Sequence, residues 1–248
     1  MREKFEVWGL RFVVCSTLTT HHLPFTMKKY AVIVAGGKGS RMNSPVPKQF
    51  MLLHGKPLLY YTIRSFLSAF DDMGIILVLP QDFMNEGQEI ICKFFDTKGI
   101  RIIAGGKTRF DSVKNGLQPI HEESIIFVHD AVRCLISTDL IRRCFEEATI
   151  NGSAIPVIAC KDSVRISTET GNEALDRERI KLVQTPQTFR SNILLPAFNI
   201  DYKNQFTDEA SVVEAAGTKV FLVEGEEDNI KITSPIDLIL AEYLLSGH

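Results

Sequence analysis

The sequence lacks the cysteine patterns that build disulfide frameworks and zinc sites. It has five cysteines among 248 residues, an odd number, and no two of them form a Cys-x-x-Cys pair. Disulfide scaffolds and structural zinc sites normally show paired, closely spaced cysteines. We therefore predict free, buried thiols in a protein of a reducing compartment, the cytoplasm.

The sequence also lacks an excess of either charge. Its 28 basic residues are balanced by 30 acidic ones, which gives a net charge of -2. A protein that binds nucleic acid usually carries a broad basic surface, so this balance argues against nucleic acid as a partner. Any anion that the protein binds must be met by a local group of cations.

No stretch approaches the ~20 apolar residues of a membrane span, so we expect no association with a membrane. The first 26 residues contain the sole tryptophan, Trp8, and a short apolar patch, Leu10–Cys15, that includes Arg11. This patch is short for the core of a signal peptide. We interpret residues 1–26 as a disordered tail or as sequence upstream of the true start, with residues 27–248 as the folded domain. A cleaved leader is the less favoured alternative.

Short runs of β-branched residues alternate with amphipathic segments along the rest of the chain. The predicted strands are Tyr30–Ala35, Ile75–Leu79, Ile100–Ile103, Ile125–His129, Ser153–Val157 and Lys219–Val223. The predicted helices are Pro57–Phe70, Phe83–Phe95, Arg109–Leu117, Asp139–Ile150 and Asp208–Ala216, followed by a last helix that opens at Ser234. This alternation predicts an α/β fold of the Rossmann-like type, with a doubly wound, mostly parallel sheet covered on both faces.

One segment, residues 161–183, breaks the alternation. It is rich in charged and β-branched residues and has a turn signal at Thr170-Gly171-Asn172. It predicts a projecting β-hairpin, and two strands offer too little apolar surface for a core of their own. We expect this β-arm to embrace a second subunit and form a homodimer; a floppy surface loop is the alternative.

A glycine-rich turn, residues 35–41, follows the first predicted strand with the sequence AGGKGSR. It fails as a dinucleotide fingerprint because Met42 stands where the third glycine is needed, and it fails as a P-loop because its Gly-Lys pair is followed by glycine. Consecutive glycines still let backbone N–H groups approach an anion closely. Arg41 and Lys48 flank a stiff Ser-Pro-Val-Pro segment, so the combination favours a phosphate site over a plain turn.

Further candidates follow later strands, and in an open α/β sheet such positions meet at one edge. A second glycine pair, Gly105-Gly106, leads into the third predicted helix. His129-Asp130 ends the fourth strand, where a metal-binding pair and a satisfied aspartate are both open interpretations. Thr207 is a candidate ligand or a helix N-cap. The alternation of its isoleucine neighbours predicts that Lys231 faces the cleft.

Taken in order, these motifs resemble those of the 2-C-methyl-D-erythritol 4-phosphate cytidylyltransferase family over essentially residues 29–245. They are AGGKGSRM (35–42), PKQF (47–50), GGKTRFDSV (105–113), VHDAVR (128–133), LDR (175–177), TPQTF (185–189), TDEAS (207–211) and DNIKIT (228–233). Each motif alone is weak, and the ordered set is specific. Three positions depart from the family pattern: Val132 replaces alanine, Cys134 replaces proline, and Lys107 replaces an acidic residue near the base.

The resemblance implies a role for individual residues. The nucleotide is expected at Ala35, Gly36, Gly37, Gly106, Ser112, Asp130 and Ala131. The second substrate is expected at Asp130, Arg133, Ser163, Arg177, Thr207 and Lys231, with the arm-borne Ser163 and Arg177 reaching the site of the partner subunit. Arg41, Lys48 and Lys231 are the expected catalytic cations.

The implied reaction transfers CMP from CTP to 2-C-methyl-D-erythritol 4-phosphate and releases pyrophosphate, a step of non-mevalonate isoprenoid precursor synthesis. Mg²⁺ or another divalent cation is expected mainly on the CTP phosphates, without a dedicated protein metal site. A phosphate monoester is already an anionic nucleophile, so we expect catalysis by positioning and charge stabilisation. Alternatives are a cytidylyltransferase for ribitol 5-phosphate or another polyol phosphate, and a non-catalytic nucleotide-binding module.

Overall fold

The computed structural model describes residues 27–36 and 46–246. The predicted tail, residues 1–26, lies outside these ranges, as do two predicted site residues, Gly37 and Arg41. Within the described ranges, no helix has the length and apolar character needed to cross a membrane. The assignment of residues 27–248 to one domain stays a prediction.

The described residues form twelve strands and seven α-helices, with short 3₁₀ turns between some of them. The strands are β1 (Lys28–Val34), β2 (Leu52–Leu53), β3 (Lys56–Pro57), β4 (Met73–Leu79), β5 (Ile100–Ala104), β6 (Ser124–Asp130), β7 (Ser153–Ala159), β8 (Val164–Thr168), β9 (Gly171–Leu175), β10 (Lys181–Val183), β11 (Gln187–Arg190) and β12 (Leu222–Glu224). The helices are α1 (Leu58–Ala69), α2 (Met84–Phe94), α3 (Arg109–Leu117), α4 (Thr138–Asn151), α5 (Ser191–Ala197), α6 (Glu209–Ala215) and α7 (Pro235–Leu245).

Eight of these strands form one sheet, and the predicted fold class is confirmed. From one edge, β5, β4, β1 and β6 run parallel to one another. The antiparallel β11 then separates β6 from β7, and β10 and β12 also pair with β7. The strand order reverses between β1 and β6, which is the switch point where open α/β sheets bind ligands beyond the strand carboxyl ends.

Alternating side chains of the strands feed two hydrophobic layers. On β1, Ala31 and Ile33 pack with α1 and α4, whereas Val32 and Val34 pack with α3, α5 and α6. Because successive residues of a strand point to opposite faces, a buried strand needs apolar residues at both parities. This explains why the predicted strands appear as nearly continuous apolar runs.

Most predicted elements are confirmed to within a few residues, and four short ones were missed. The helix predicted at Arg109–Leu117 has those bounds, whereas the strand predicted at Lys219–Val223 is shifted to Leu222–Glu224. The missed elements are the two-residue strands β2 and β3, the strand β11 and the helix α5. The sequence of β11 is short, and three of its four residues are polar. Gln187 is nonetheless buried, because its amide bonds Asp208 and the backbone of Ala210.

The predicted β-hairpin is present as β8 and β9, with corrected bounds. Its turn lies at Glu169 and Thr170, so Gly171 and Asn172 belong to a strand. The last part of the predicted arm, β10, pairs with β7 in the main sheet instead. Residues 165–179 are all exposed in the single chain.

The thiol prediction is confirmed in part. Cys134 and Cys144 are free and buried, but Cys92 is exposed and Cys160 is partly exposed. Cys92 lies on the exposed side of the amphipathic helix α2, where Gln88 Nε2 donates to its Sγ at 3.2 Å.

Gly116 is a glycine that the packing of α3 on the sheet requires. A Cβ there would lie 2.6 Å from Val32 Cγ1 and 2.8 Å from Val78 Cγ2. We expect Gly116→Ala to lower the free energy of unfolding by about 1–2 kcal/mol in urea denaturation, because overpacking outweighs the better helix propensity of alanine. Lys114→Ala, on the exposed side of α3, is the matched control and should change it little. Equal stability of the two variants would contradict this packing.

Candidate active site

A cavity of about 310 Å³ opens at the switch point, beyond the carboxyl ends of β1 and β6. Seven of the residues predicted from the sequence line it: Ala35, Gly36, Lys48, Gly106, Ser112, Asp130 and Lys231. Lys107 and Val132, two of the positions that depart from the family pattern, line it as well. Segments that are far apart in the chain therefore meet where the fold predicts a ligand.

A second cavity, of about 230 Å³, adjoins the first. Two predicted residues, Arg133 and Thr207, line this smaller cavity. Three residues, Arg109, Asp130 and Lys231, line both cavities and so form a shared wall between them. The arrangement can hold two ligands side by side with charged groups at their boundary.

The second glycine turn is shaped by the start of α3. Thr108 caps the helix, and its capping box with Asp111 satisfies backbone donors of the first turn. The Ser112 hydroxyl accepts from Gly106 N at 3.1 Å and donates to Thr108 O at 2.9 Å. A Cβ on Gly106 would lie 2.2 Å from that of Asp111, so glycine is required there. The hydrogen bonds of Ser112 therefore fix the conformation of this glycine turn, and the turn lines the larger cavity.

Asp130, at the end of β6, is a buried carboxylate surrounded by cations. Its Oδ2 lies 2.8 Å from Lys231 Nζ and 3.9 Å from Arg133 Nε, and its Oδ1 lies 3.3 Å from Arg109 Nη2. Burial alone would raise the pKa of this carboxyl, but the neighbouring cations, Arg109 first, hold it well below its usual value. Asp130 is therefore ionised and neutralises part of the positive charge of the site.

Arg109 is anchored from the opposite side by Glu209. Nη1 and Nη2 of Arg109 both donate to the Glu209 carboxylate, which is 1% exposed at the first position of α6. Although burial opposes the charge, Glu209 and Asp130 raise the pKa of Arg109 above its ordinary value. This ion pair ties α3 to α6 across the floor of the site.

Lys48 enters the larger cavity from a short 3₁₀ turn, Lys48–Phe50, that follows Pro47. The side chain is buried, and its Nζ lies 3.5 Å from the carbonyl oxygen of Ile232. Lys231 comes from the neighbouring loop, with Ile232 fully buried behind it. The predicted orientation of Lys231 toward the cleft is confirmed.

His129 is a satisfied core histidine. For the His129-Asp130 pair this favours a satisfied aspartate at the end of the strand over a metal-binding pair. Its ring lies against Phe66 on the opposite face of β6 from Asp130, and its nitrogens bond Thr185 Oγ1 at 3.0 Å and Arg133 O at 3.1 Å. Burial lowers its pKa from 6.5 to about 4. Among the described residues, no three His, Cys, Asp or Glu side chains form a group that could hold a metal ion.

Some predicted site residues lie elsewhere in the single chain. Ser163 and Arg177 are exposed on the arm, outside the linings of the two cavities, and Arg177 Nη1 donates to Lys161 O at 3.0 Å. Ala131 is buried and lines neither cavity, and its N–H donates to Val34 O at 3.0 Å. Thr207 is not a helix N-cap, because Asp208 caps α6.

Sequence reasoning missed the roles of Arg109 and Glu209 in the site. Both residues lie inside motifs that carried the resemblance, and each is the first residue of a helix, where Glu209 is also explained by the helix dipole. The signal available was that each is a charged residue inside one of the motifs and had been given no role of its own. Their pairing could not be found, because it joins positions 100 residues apart in the chain.

This fold, with the Gly105-Gly106 turn and converging cations around two adjoining cavities at the switch point, defines a nucleotidyltransferase. The family model described as "IspD: 2-C-methyl-D-erythritol 4-phosphate cytidylyltransferase" matches residues 29–247. The chain belongs to the 2-C-methyl-D-erythritol 4-phosphate cytidylyltransferase family.

Individual relatives agree with this assignment. The chain is 48% identical to the 2-C-methyl-D-erythritol 4-phosphate cytidylyltransferase of Bacteroides fragilis over 224 residues, covering 88% of this chain and 100% of that protein. The solved structure of 4-diphosphocytidyl-2C-methyl-D-erythritol synthase from Anaerococcus prevotii has a TM-score of 0.76 at 28% identity, covering 89% of this chain and 96% of the other. The enzyme from Francisella tularensis has a TM-score of 0.73 at 32% identity, covering 87% and 99%.

The buried His129 makes stability depend on pH. Its pKa is lower in the folded protein than in the unfolded chain, so the unfolded chain takes up the proton first as the pH falls. We expect the free energy of unfolding to drop by about 2 kcal/mol from this group between pH 7 and 5. Urea denaturation at both pH values checks this, and His129→Gln should show a flatter dependence. An unchanged pH dependence in that variant would contradict a neutral buried histidine.

Proposed function

We propose that the two cavities bind CTP and 2-C-methyl-D-erythritol 4-phosphate side by side and transfer CMP to the latter with release of pyrophosphate. The observation that carries this proposal is that the two cavities adjoin each other and share a wall, which is formed by Arg109, Asp130 and Lys231. A transfer between two anionic substrates needs charge at their boundary, and the wall supplies it.

The larger cavity suits the nucleotide. Backbone of Ala35, Gly36 and Gly106 lines it, so the base and triphosphate can be approached closely by main-chain groups. Lys107 lines the same cavity, and recognition of the base then rests on these backbone contacts. Lys48 lies on the side of the triphosphate, where its charge would stabilise the α-phosphate and the leaving pyrophosphate.

The smaller cavity suits the polyol phosphate, whose hydroxyls would meet Thr207 and Asp130. Lys231 lies on the boundary, so its ammonium can draw the attacking phosphate toward the α-phosphorus of the nucleotide. The attacking oxygen carries its own negative charge, and no general base is required. Arg41 keeps the role implied by the family resemblance, as a second cation at the α-phosphate.

Mg²⁺ is proposed to bind mainly through the CTP phosphates. Asp130, a carboxylate that lines the larger cavity, is already paired with Arg109, Arg133 and Lys231, so it is a poor direct ligand. When bound, the ion would supply positive charge that neutralises part of the charge of the CTP phosphates. The protein side chains hold and orient the two substrates around it.

A homodimer formed through the β-arm is also proposed. The arm extends from the sheet with Ile166 48% and Leu175 38% exposed, an apolar surface that a second subunit would cover. Arg177 lies at the base of this arm with 53% of its side chain exposed, so it can serve a neighbouring site. A cytoplasmic location stays a prediction from the cysteine pattern.

The function is tested by pyrophosphate release with a panel of nucleotides and polyol phosphates. We expect turnover with CTP and 2-C-methyl-D-erythritol 4-phosphate, and a loss of about 10²-fold or more in Lys48→Ala because one transition-state cation is removed. The exposed Lys98, at the opposite end of the sheet, supplies the control Lys98→Ala. Higher turnover with ribitol 5-phosphate would favour the alternative substrate, and near-normal turnover of Lys48→Ala would refute this mechanism.

The dimer is tested by mixing two inactive variants. If Arg177 acts in the site of its partner subunit, a heterodimer of Lys48→Ala and Arg177→Ala chains carries both defects in one site and none in the other. Random exchange of equal amounts should then restore about one quarter of wild-type activity. Each variant alone, unfolded and refolded in the same way, is the control. A mixture no more active than its parts would place Arg177 in the site of its own chain.

A further inference from the structure

Arg109 lies at the boundary of the two cavities, and its contribution to the charge of their shared wall is the only role that the proposed reaction gives it. It projects from the start of α3 and lines both cavities, with 30% of its side chain exposed. Its positive charge is already paired, because two of its guanidinium nitrogens donate to the Glu209 carboxylate. An arginine in this state is a poor phosphate ligand, and its function must lie in what else it holds.

The contact that remains to Arg109 is with Asp130. Nη2 of Arg109 donates to Asp130 Oδ1 at 3.3 Å, on the opposite side of the carboxylate from Lys231. The other oxygen, Oδ2, lies 2.8 Å from Lys231 Nζ. The four side chains thus form a line of alternating charge that runs from α6 to the lysine at the cavity boundary.

We propose that Arg109, anchored by Glu209, is a positioning residue that fixes the Asp130 carboxylate and through it holds the Lys231 ammonium between the two substrates. This inference rests on the proposed function of the same site. The Glu209 anchor is needed because a guanidinium without it can turn its planar fork onto both oxygens of Asp130. Lys231 would then lose its partner and its position.

The surroundings of Glu209 support this role. Gln187 donates to Asp208 Oδ2 at 2.9 Å and accepts from Ala210 N at 2.8 Å, which fixes the first turn of α6 on both sides of Glu209. Stability alone is a weak reason for such a pair, since buried ion pairs can often be replaced by apolar residues without loss. Its place beside Lys231 supplies the better reason.

The test is a double-mutant cycle that removes the anchor without leaving an unpaired buried charge. The variant Arg109→Gln/Glu209→Gln should lower turnover about tenfold in the wild-type background, a coupling within the range seen for residues of one network. In a Lys231→Ala background the same pair of changes should cost less than about twofold, because the residue it positions is absent. Equal losses in both backgrounds would overturn the proposal.

A second variant separates geometry from charge. Arg109→Lys keeps the positive charge but not the planar fork that serves Glu209 and Asp130 together, so turnover should fall about as far as in the neutral pair. Full activity of Arg109→Lys would overturn the proposal. Lys29→Gln/Asp72→Asn neutralises an ion pair at the opposite end of the sheet and is the matched control for effects of stability.

A spectroscopic readout keeps the proposal independent of turnover. In ¹⁵N-lysine spectra, the Lys231 signal, assigned by its loss in Lys231→Ala, should move in Arg109→Gln/Glu209→Gln and stay in place in the Lys29/Asp72 control. An unmoved signal would overturn the positioning role. Wild-type protein without pyrophosphate release would instead refute the proposed function, while the spectra would still decide whether Arg109 positions Lys231.

Discussion

The carboxylate of Asp130 is buried at the end of β6, where an uncompensated charge would be strongly destabilising. Three cations compensate it, and each comes from a different part of the chain: Arg109 from α3, Arg133 from the loop after β6, and Lys231 from the loop before α7. Satisfying this one charge therefore brings the walls of both cavities together. The site and the folded state depend on the same contacts.

Backbone contacts reinforce this assembly around Asp130. Arg133 Nη1 donates to Asn229 O at 2.7 Å, and Asn229 Nδ2 donates to Thr185 O at 2.9 Å. Asp130 N in turn donates to Thr185 Oγ1 at 3.1 Å. The loop that carries Lys231 is thus attached to the segment between β10 and β11, although it has no regular secondary structure of its own.

Much of this arrangement could be predicted from the sequence, because the signals are local. Apolar runs give the strands, and the rule that parallel strands present their carboxyl ends at one edge brings Ala35, Gly106 and Asp130 together. The Arg109–Glu209 pair could not be predicted in this way, since the sequence around each residue does not indicate which distant residue it contacts. The arm is the opposite case: its hairpin is evident in the sequence, but residues 165–179 are all exposed in the single chain, so its contact with a second subunit stays a proposal.

The choice of side chains at the boundary follows from the geometry of their donors. An ammonium has three rotatable N–H donors, so Lys231 can keep Asp130 on one side and still donate to phosphate oxygens on the other. A guanidinium has a rigid planar fork, which suits Arg109 because its two targets, Glu209 and Asp130, are fixed protein groups. In the proposed mechanism, arginine stands at the position that must hold still, and lysine stands at the position that must follow a reacting phosphate. Exchanging the two residues would keep the charge of the site but give each proposed role the less suitable donor geometry.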